Sequence, residues 1–118
     1  MSYPGVFSTL GLRHDTDRWV LSRPLIYKTA TDWVYVPVGF KTDLASVPRI
    51  PGVYAVIQGR ANKAAVVHDW LYSRQANREY ADRLFYRAMR DEGVGPVMAW
   101  LIYAAVRVFG WFPYRSRA

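Results

Sequence analysis

At 118 residues, 52% hydrophobic and 16% aromatic, the chain is long enough for one domain with a packed core, read here as residues 1–118, and its composition excludes a disordered polyelectrolyte. The absence of cysteine excludes a disulfide framework, a thiolate metal site and a cysteine nucleophile. Sixteen Lys and Arg against nine Asp and Glu give a formal charge of +7, which favours a polyanionic partner such as nucleic acid or an anionic membrane surface. The arginines are dispersed and no recognition motif accompanies them, so sequence-specific nucleic-acid binding is not expected.

The N-terminal stretch MSYPGVFSTLGLRHD has no basic segment followed by an apolar run, so no signal peptide is read there. Residues 6–12, 18–21, 25–28 and 33–37 are short runs rich in Val, Leu, Ile, Tyr and Trp. Turns at 14–17 and 29–32 carry the Asp and Thr that bond their own backbone. A small antiparallel sheet is predicted, with Pro24 and Pro37 at edges or strand ends because proline cannot donate to a ladder.

Residues 38–51, VGFKTDLASVPRIP, lack helical periodicity. The polar Thr42, Asp43, Ser46 and Arg49 stand among apolar neighbours, as in a loop held against a core and lining a site. Asp43 and Arg49 are expected to bond to the helices; an Asx-turn at Asp43 with Ser46 capping a short helix is the plainer reading. A helical turn is predicted over 53–58.

The chemistry-bearing residues concentrate in 64–89, AAVVHDWLYSRQANREYADRLFYRAM. His68 and Tyr72 are four apart and Asp69 and Tyr72 three apart, so imidazole, carboxylate and phenol share one surface of a helix. Their neighbours are apolar, and buried ionisable groups need partners. Ser73 to Ala76 form a polar link, and Asn77 suits the N-cap of a second helix. There Ala81, Leu84, Phe85 and Ala88 make the apolar stripe and Asp82 faces inward on its shoulder. Helices joined by so short a link pack as antiparallel neighbours, which brings Asp82 towards His68 as a dyad and leaves Asp69 to a cation or an arginine. The alternative is structural: a core histidine held by a hydrogen bond, and an inward acid that holds an arginine.

Gly93 and Gly95 break the chain, and Pro96 opens a third helix at its favoured first position. Residues 97–109 are apolar almost all round, with Arg107 the single charge, yet shorter than the ~20 residues of a membrane span, so a buried hairpin partner is expected. The helices are predicted near 62–74, 77–91 and 96–109. The tail Trp111-Phe112-Pro113-Tyr114-Arg115 has the mix of aromatics and arginine of an interfacial anchor, and packing on the sheet is the equal alternative. The fold expected is α+β, a small N-terminal antiparallel sheet packed against a C-terminal bundle of three helices.

With GFKTDLASVPR, AAVVHDWLY and ADRLF in view, residues 25–109 resemble the family called domain of unknown function 1353 (DUF1353), found largely in tailed phages and prophages. The resemblance implies a phage or prophage origin and supplies no activity. A narrower resemblance, confined to the two central helices, is to phospholipase A-two enzymes. Their first catalytic helix carries His-Asp-x-x-Tyr, matched by His68, Asp69 and Tyr72, and their second supplies an orienting acid, matched by Asp82. The glycine-rich calcium loop and helix disulfides of those enzymes are absent.

Two functions follow. One is a virion-associated or accessory phage protein, for example of the tail, in which the polar cluster joins the TDLASVP loop to the helices and the partners are other phage proteins or an anionic membrane surface. The other is a metal-assisted ester hydrolase with His68 as general base, Asp82 orienting it, Tyr72 beside them, and Asp69 with Asp43 holding calcium or another divalent cation. The expected location is the virion or the host cytoplasm. A phosphohydrolase of the HD type would need more histidines than His14 and His68.

Overall fold

The computed structural model describes residues 5–15, 18–42 and 61–109. The chain divides into two compact units, Met1–Asp43 and Leu44–Ala118, one built of strands and the other of helices. This is the α+β arrangement anticipated.

In the first unit the strands are β1 (Val6–Phe7), β2 (Leu12–Asp15), β3 (Arg18–Leu21), β4 (Leu25–Lys28), β5 (Trp33–Val36) and β6 (Lys41–Thr42). They sort into two antiparallel three-stranded sheets, ordered β1-β4-β5 and β2-β3-β6. Alternation sets the register of the first. Leu25 pairs with Val36 and Tyr27 with Val34, so four buried side chains share one face. Phe7 stacks on Tyr27 at 4.3 Å. The turn between β4 and β5 is the Thr/Asp turn expected: the Thr29 hydroxyl accepts from the Asp32 N–H at 2.8 Å.

The sequence predicts one sheet, and its division in two has a local cause. Residues 8–11 carry the chain from β1 beside β4 to β2 beside β3. Ser8 N–H donates to Ile26 O at 2.9 Å, and Ser22 N–H to Gly11 O at 3.0 Å. At the second crossing a Cβ on Gly11 would lie 2.5 Å from Ser22 Oγ and 2.7 Å from Arg23 Nε, so a larger residue there would require those side chains to move. Proline then sits at the strand ends, Pro24 just before β4 and Pro37 just after β5. The turn expected at 14–17 is narrower, since His14 pairs with Trp19 and Asp15 with Arg18, which extends the hairpin to two intervening residues. Within the predicted loop 38–51, Lys41–Thr42 instead joins β3. Gly39, at φ +88°, makes the turn that brings it there. Residues 43–51 and the helical turn predicted over 53–58 lie outside the described residues.

The second unit holds α1 (Asn62–Ser73), α2 (Arg78–Asp91) and α3 (Pro96–Phe109). The boundaries follow capping chemistry. Asn77 Oδ1 accepts from Tyr80 N–H at 3.0 Å to start α2, and Pro96 opens α3. Both α1 and α2 end in the same double turn. After α1, Gln75 N–H reaches Tyr72 O and Ala76 N–H reaches Leu71 O, each at 3.0 Å. After α2, Gly93 and Val94 repeat this on Arg90 and Met89. The residue that reverses the chain has positive φ in each, +56° at Gln75 and +97° at Gly93. These tight links fold the helices antiparallel in sequence. Ala64, Ala65, Ala81, Ala88 and Ala99 are all buried, and side chains this small let the backbones approach closely.

Candidate functional site

The antiparallel pairing of α1 with α2, and of α2 with α3, converges on Asp82. His68, Tyr72 and Asp82 each have 0% exposure. His68 Nε2 lies 2.6 Å from Asp82 Oδ1, and the Tyr72 hydroxyl donates to the same oxygen at 2.5 Å. Arg107, from α3, donates through Nη1 to Oδ2 at 2.9 Å. Arg78, four residues before Asp82 on α2, places Nε 3.8 Å from Oδ2. One carboxylate is thus shared by all three helices. Because an ionised carboxylate only accepts, the hydrogen between Asp82 and His68 sits on Nε2.

Arg78 links this cluster to a helix end. Its Nε donates to the Tyr72 hydroxyl at 3.3 Å, and its Nη2 to the carbonyls of Val106 and Arg107 at 2.8 and 2.6 Å. Those carbonyls belong to the last turn of α3, the negative end of its dipole, which favours a cation. The His68 ring completes the packing, 4.1 Å from the Tyr72 ring and stacked on Phe85 at 4.5 Å.

The electrostatics follow from these contacts. Burial alone would raise the Asp82 carboxyl, but the donors from His68, Tyr72 and Arg107 together hold it below the ordinary value. Tyr72 moves the other way, raised by burial first and then by Asp82. The cluster therefore keeps an anion and a neutral phenol side by side, with the cations on the outer side of the carboxylate.

A second polar contact lies at the opposite end of α1. Ala61, at its N-cap position, has no side-chain cap; Glu92, just past α2, accepts the Ala64 N–H at 2.6 Å instead. Burial pushes the Glu92 carboxyl up to about 7, against the opposing pull of the Ala64 and Lys63 amides and the Lys63 charge.

Of the residues singled out from sequence, His68, Tyr72 and Asp82 meet. Asp69 is fully buried on α1. Asp43 and Arg49 lie outside the described residues. Among the described residues no group of three or more His, Cys, Asp or Glu side chains could hold a metal ion. The sequence assigns no role to Arg78, Arg107 or Glu92. Two of these carried a signal: Arg78 is four residues from an inward acid, and Arg107 is the one charge in an apolar helix, where an unpaired charge is costly. Glu92 carried none.

The molecule so far is an α+β protein whose helical unit is tied together by one buried acid. Residues 19–106 match the family described as Protein of unknown function (DUF1353), and the chain belongs to that family. No curated protein and no solved structure matches it.

Proposed function

We propose that this is a non-enzymatic phage or prophage protein, virion-associated or accessory, that works by docking, and that the cluster around Asp82 is a lock setting the arrangement of its helices. The observation that carries this reading is the saturation of the carboxylate. Asp82 has no exposure and takes donors from α1 and α3, while Arg78 uses the same network to cap α3. Fully satisfied buried networks of this kind specify one packing. The phage or prophage setting rests on the TDLASVP and HDWLY motifs.

The test compares chemistry with stability in the same variants. The parent is incubated with mixed anionic phospholipid vesicles and with a simple ester, in calcium, magnesium or zinc, and no hydrolysis is expected. His68→Gln is expected to lower the melting temperature. Metal-dependent hydrolysis by the parent, lost in His68→Gln at an unchanged melting temperature, would overturn the reading.

That outcome would instead support a metal-assisted ester hydrolase, which one observation favours: the 2.6 Å contact of His68 Nε2 with Asp82. In that reading Asp82 fixes the tautomer, so His68 would take a proton from water through Nδ1, with Tyr72 steadying the acid. Asp69 and Asp43 would hold the divalent cation, which supplies polarisation of the ester carbonyl.

A further inference from the structure

The side of α3 turned away from Asp82 is apolar. Ala99, Ile102 and Val106 fill the bundle side of the helix. Val97, Leu101 and Val108, spaced four and seven apart, form a stripe on the opposite side with exposures of 73%, 51% and 61%. Trp100 flanks the stripe at 58%. The helix contains no acidic residue, and its single charge, Arg107, is engaged with Asp82.

The neighbouring surface of α2 is basic. Arg83, Arg87 and Arg90 recur at i, i+4 and i+7, which aligns them along one side of that helix. Between the helices lies an open groove of about 390 Å³ lined by Arg83, Tyr86, Trp100 and Tyr103. The Tyr86 and Tyr103 rings meet edge to face at 5.9 Å. Asp91 follows Arg87 by four residues, so the row sets three arginines against two acids, and Glu79 lies 3.6 Å from Arg83 with both side chains more than 60% exposed. Such a pair holds little energy and yields readily to a phosphate.

We propose that this face docks on an anionic phospholipid bilayer. The helix α3 lies in the plane of the interface with Val97, Leu101 and Val108 towards the acyl chains. Trp100, Tyr86 and Tyr103 sit at headgroup depth, where amphipathic rings are favoured, and Arg83 and Arg87 face lipid phosphates. Charge complementarity selects this occupant. The chain carries +7, and a second copy on the same face would bring two arginine rows together, whereas anionic headgroups neutralise them. No described helix is long and apolar enough to cross a membrane, so the contact is in-plane. This inference does not depend on whether the Asp82 cluster is a lock or a catalytic dyad.

The experiment is co-sedimentation of the whole chain with vesicles of mixed phosphatidylglycerol and phosphatidylcholine, and with phosphatidylcholine alone, at low and high salt. Binding is expected to the mixed vesicles at low salt, weaker at high salt and weaker still to the neutral vesicles. Arg83→Ala and Arg87→Ala are each expected to weaken binding about fivefold, and Leu101→Glu at least ~10-fold. Val97→Glu repeats the test with an acid in the first turn of α3, where the helix dipole favours it, so loss of binding there is not loss of the fold. Absence of parent binding to the mixed vesicles, or equal binding to neutral ones, overturns the proposal. So does a Leu101→Glu variant that still binds vesicles while converting a dimeric parent to a monomer in sedimentation velocity, because the face would then be covered by a second copy.

Discussion

Replacing Asp82 by Asn keeps the shape of the side chain and removes the charge on which three helices converge. An amide offers one acceptor oxygen where four groups now face two, and turns donor hydrogens towards one set of them. The groups suffer unequally. Arg107 and Arg78 retain 35% and 23% side-chain exposure, so each regains hydration and its share of the loss is small. His68 and Tyr72 have none to regain. Hydrogen bonds to a charged group contribute about 1.5–3 kcal/mol each, and breaking a buried ion pair by removing one partner costs about 3–5 kcal/mol. The expected loss is therefore ~3–5 kcal/mol, a fall in Tm of roughly 10–20 °C for a chain of this size. Urea and thermal melts followed at 222 nm read it, because that signal reports the helices. Arg107→Gln alone is expected to cost only ~1 kcal/mol, and the double variant less than the sum of the two. If Asp82→Asn melts within ~1 kcal/mol of the parent, the carboxylate does not organise the bundle, and the lock reading falls with it.

Glu92 gives the protein a dependence on pH of the opposite sign to that of Asp82. Its carboxyl is raised from 4.5 to about 7, so the folded state binds more protons between those values, and its contribution, up to ~3 kcal/mol, is full below the lower value and lost as pH rises through the upper. Glu92→Gln is expected to flatten the stability profile across that window in melts taken at several pH values; a profile unchanged from the parent refutes the assignment. Asp82, held below its ordinary value, contributes at neutral pH and loses that contribution only in acid. Asn77→Ala removes the cap of α2 and should cost about 1 kcal/mol in the same melts, with Asn77→Ser restoring most of it.

The helices were legible in the sequence because their signals are local. Asn77, Gly93 and Pro96 mark boundaries by backbone chemistry that does not depend on the rest of the fold, and α2 and α3 begin and end within a residue of their expected places. The α+β class was legible for the same reason, in short Val- and Tyr-rich runs followed by long periodic ones. Strand partnership was not. That β1 pairs with β4 while β2 pairs with β3 is a matter of contacts between segments apart in sequence, and a two-residue strand such as β6 carries no pattern at all. Glu92 capping α1 is invisible for a related reason, since a cap supplied from another helix leaves no spacing to read.

The polar cluster lies between these cases, and it shows how far a sequence constrains a buried charge. Two tight links fold the three helices antiparallel, so partners across a link stand at similar distances from it. His68 and Asp82 are each seven residues from Gln75. Asp82 is eleven residues before Gly93 and Arg107 fourteen after it, about one helical turn beyond the mirror position and within reach of a long side chain. An acid that faces inward on the middle helix of such an arrangement has a reflected position across each turn, and here a histidine occupies the first and an arginine stands about one turn past the second. The requirement that buried charges be compensated, joined to the reflection imposed by short links, therefore accounts for the partners of Asp82 on both sides. It does so without reference to catalysis. The pair therefore fits a lock and a catalytic dyad alike, and an assay of hydrolysis by the parent is what separates them.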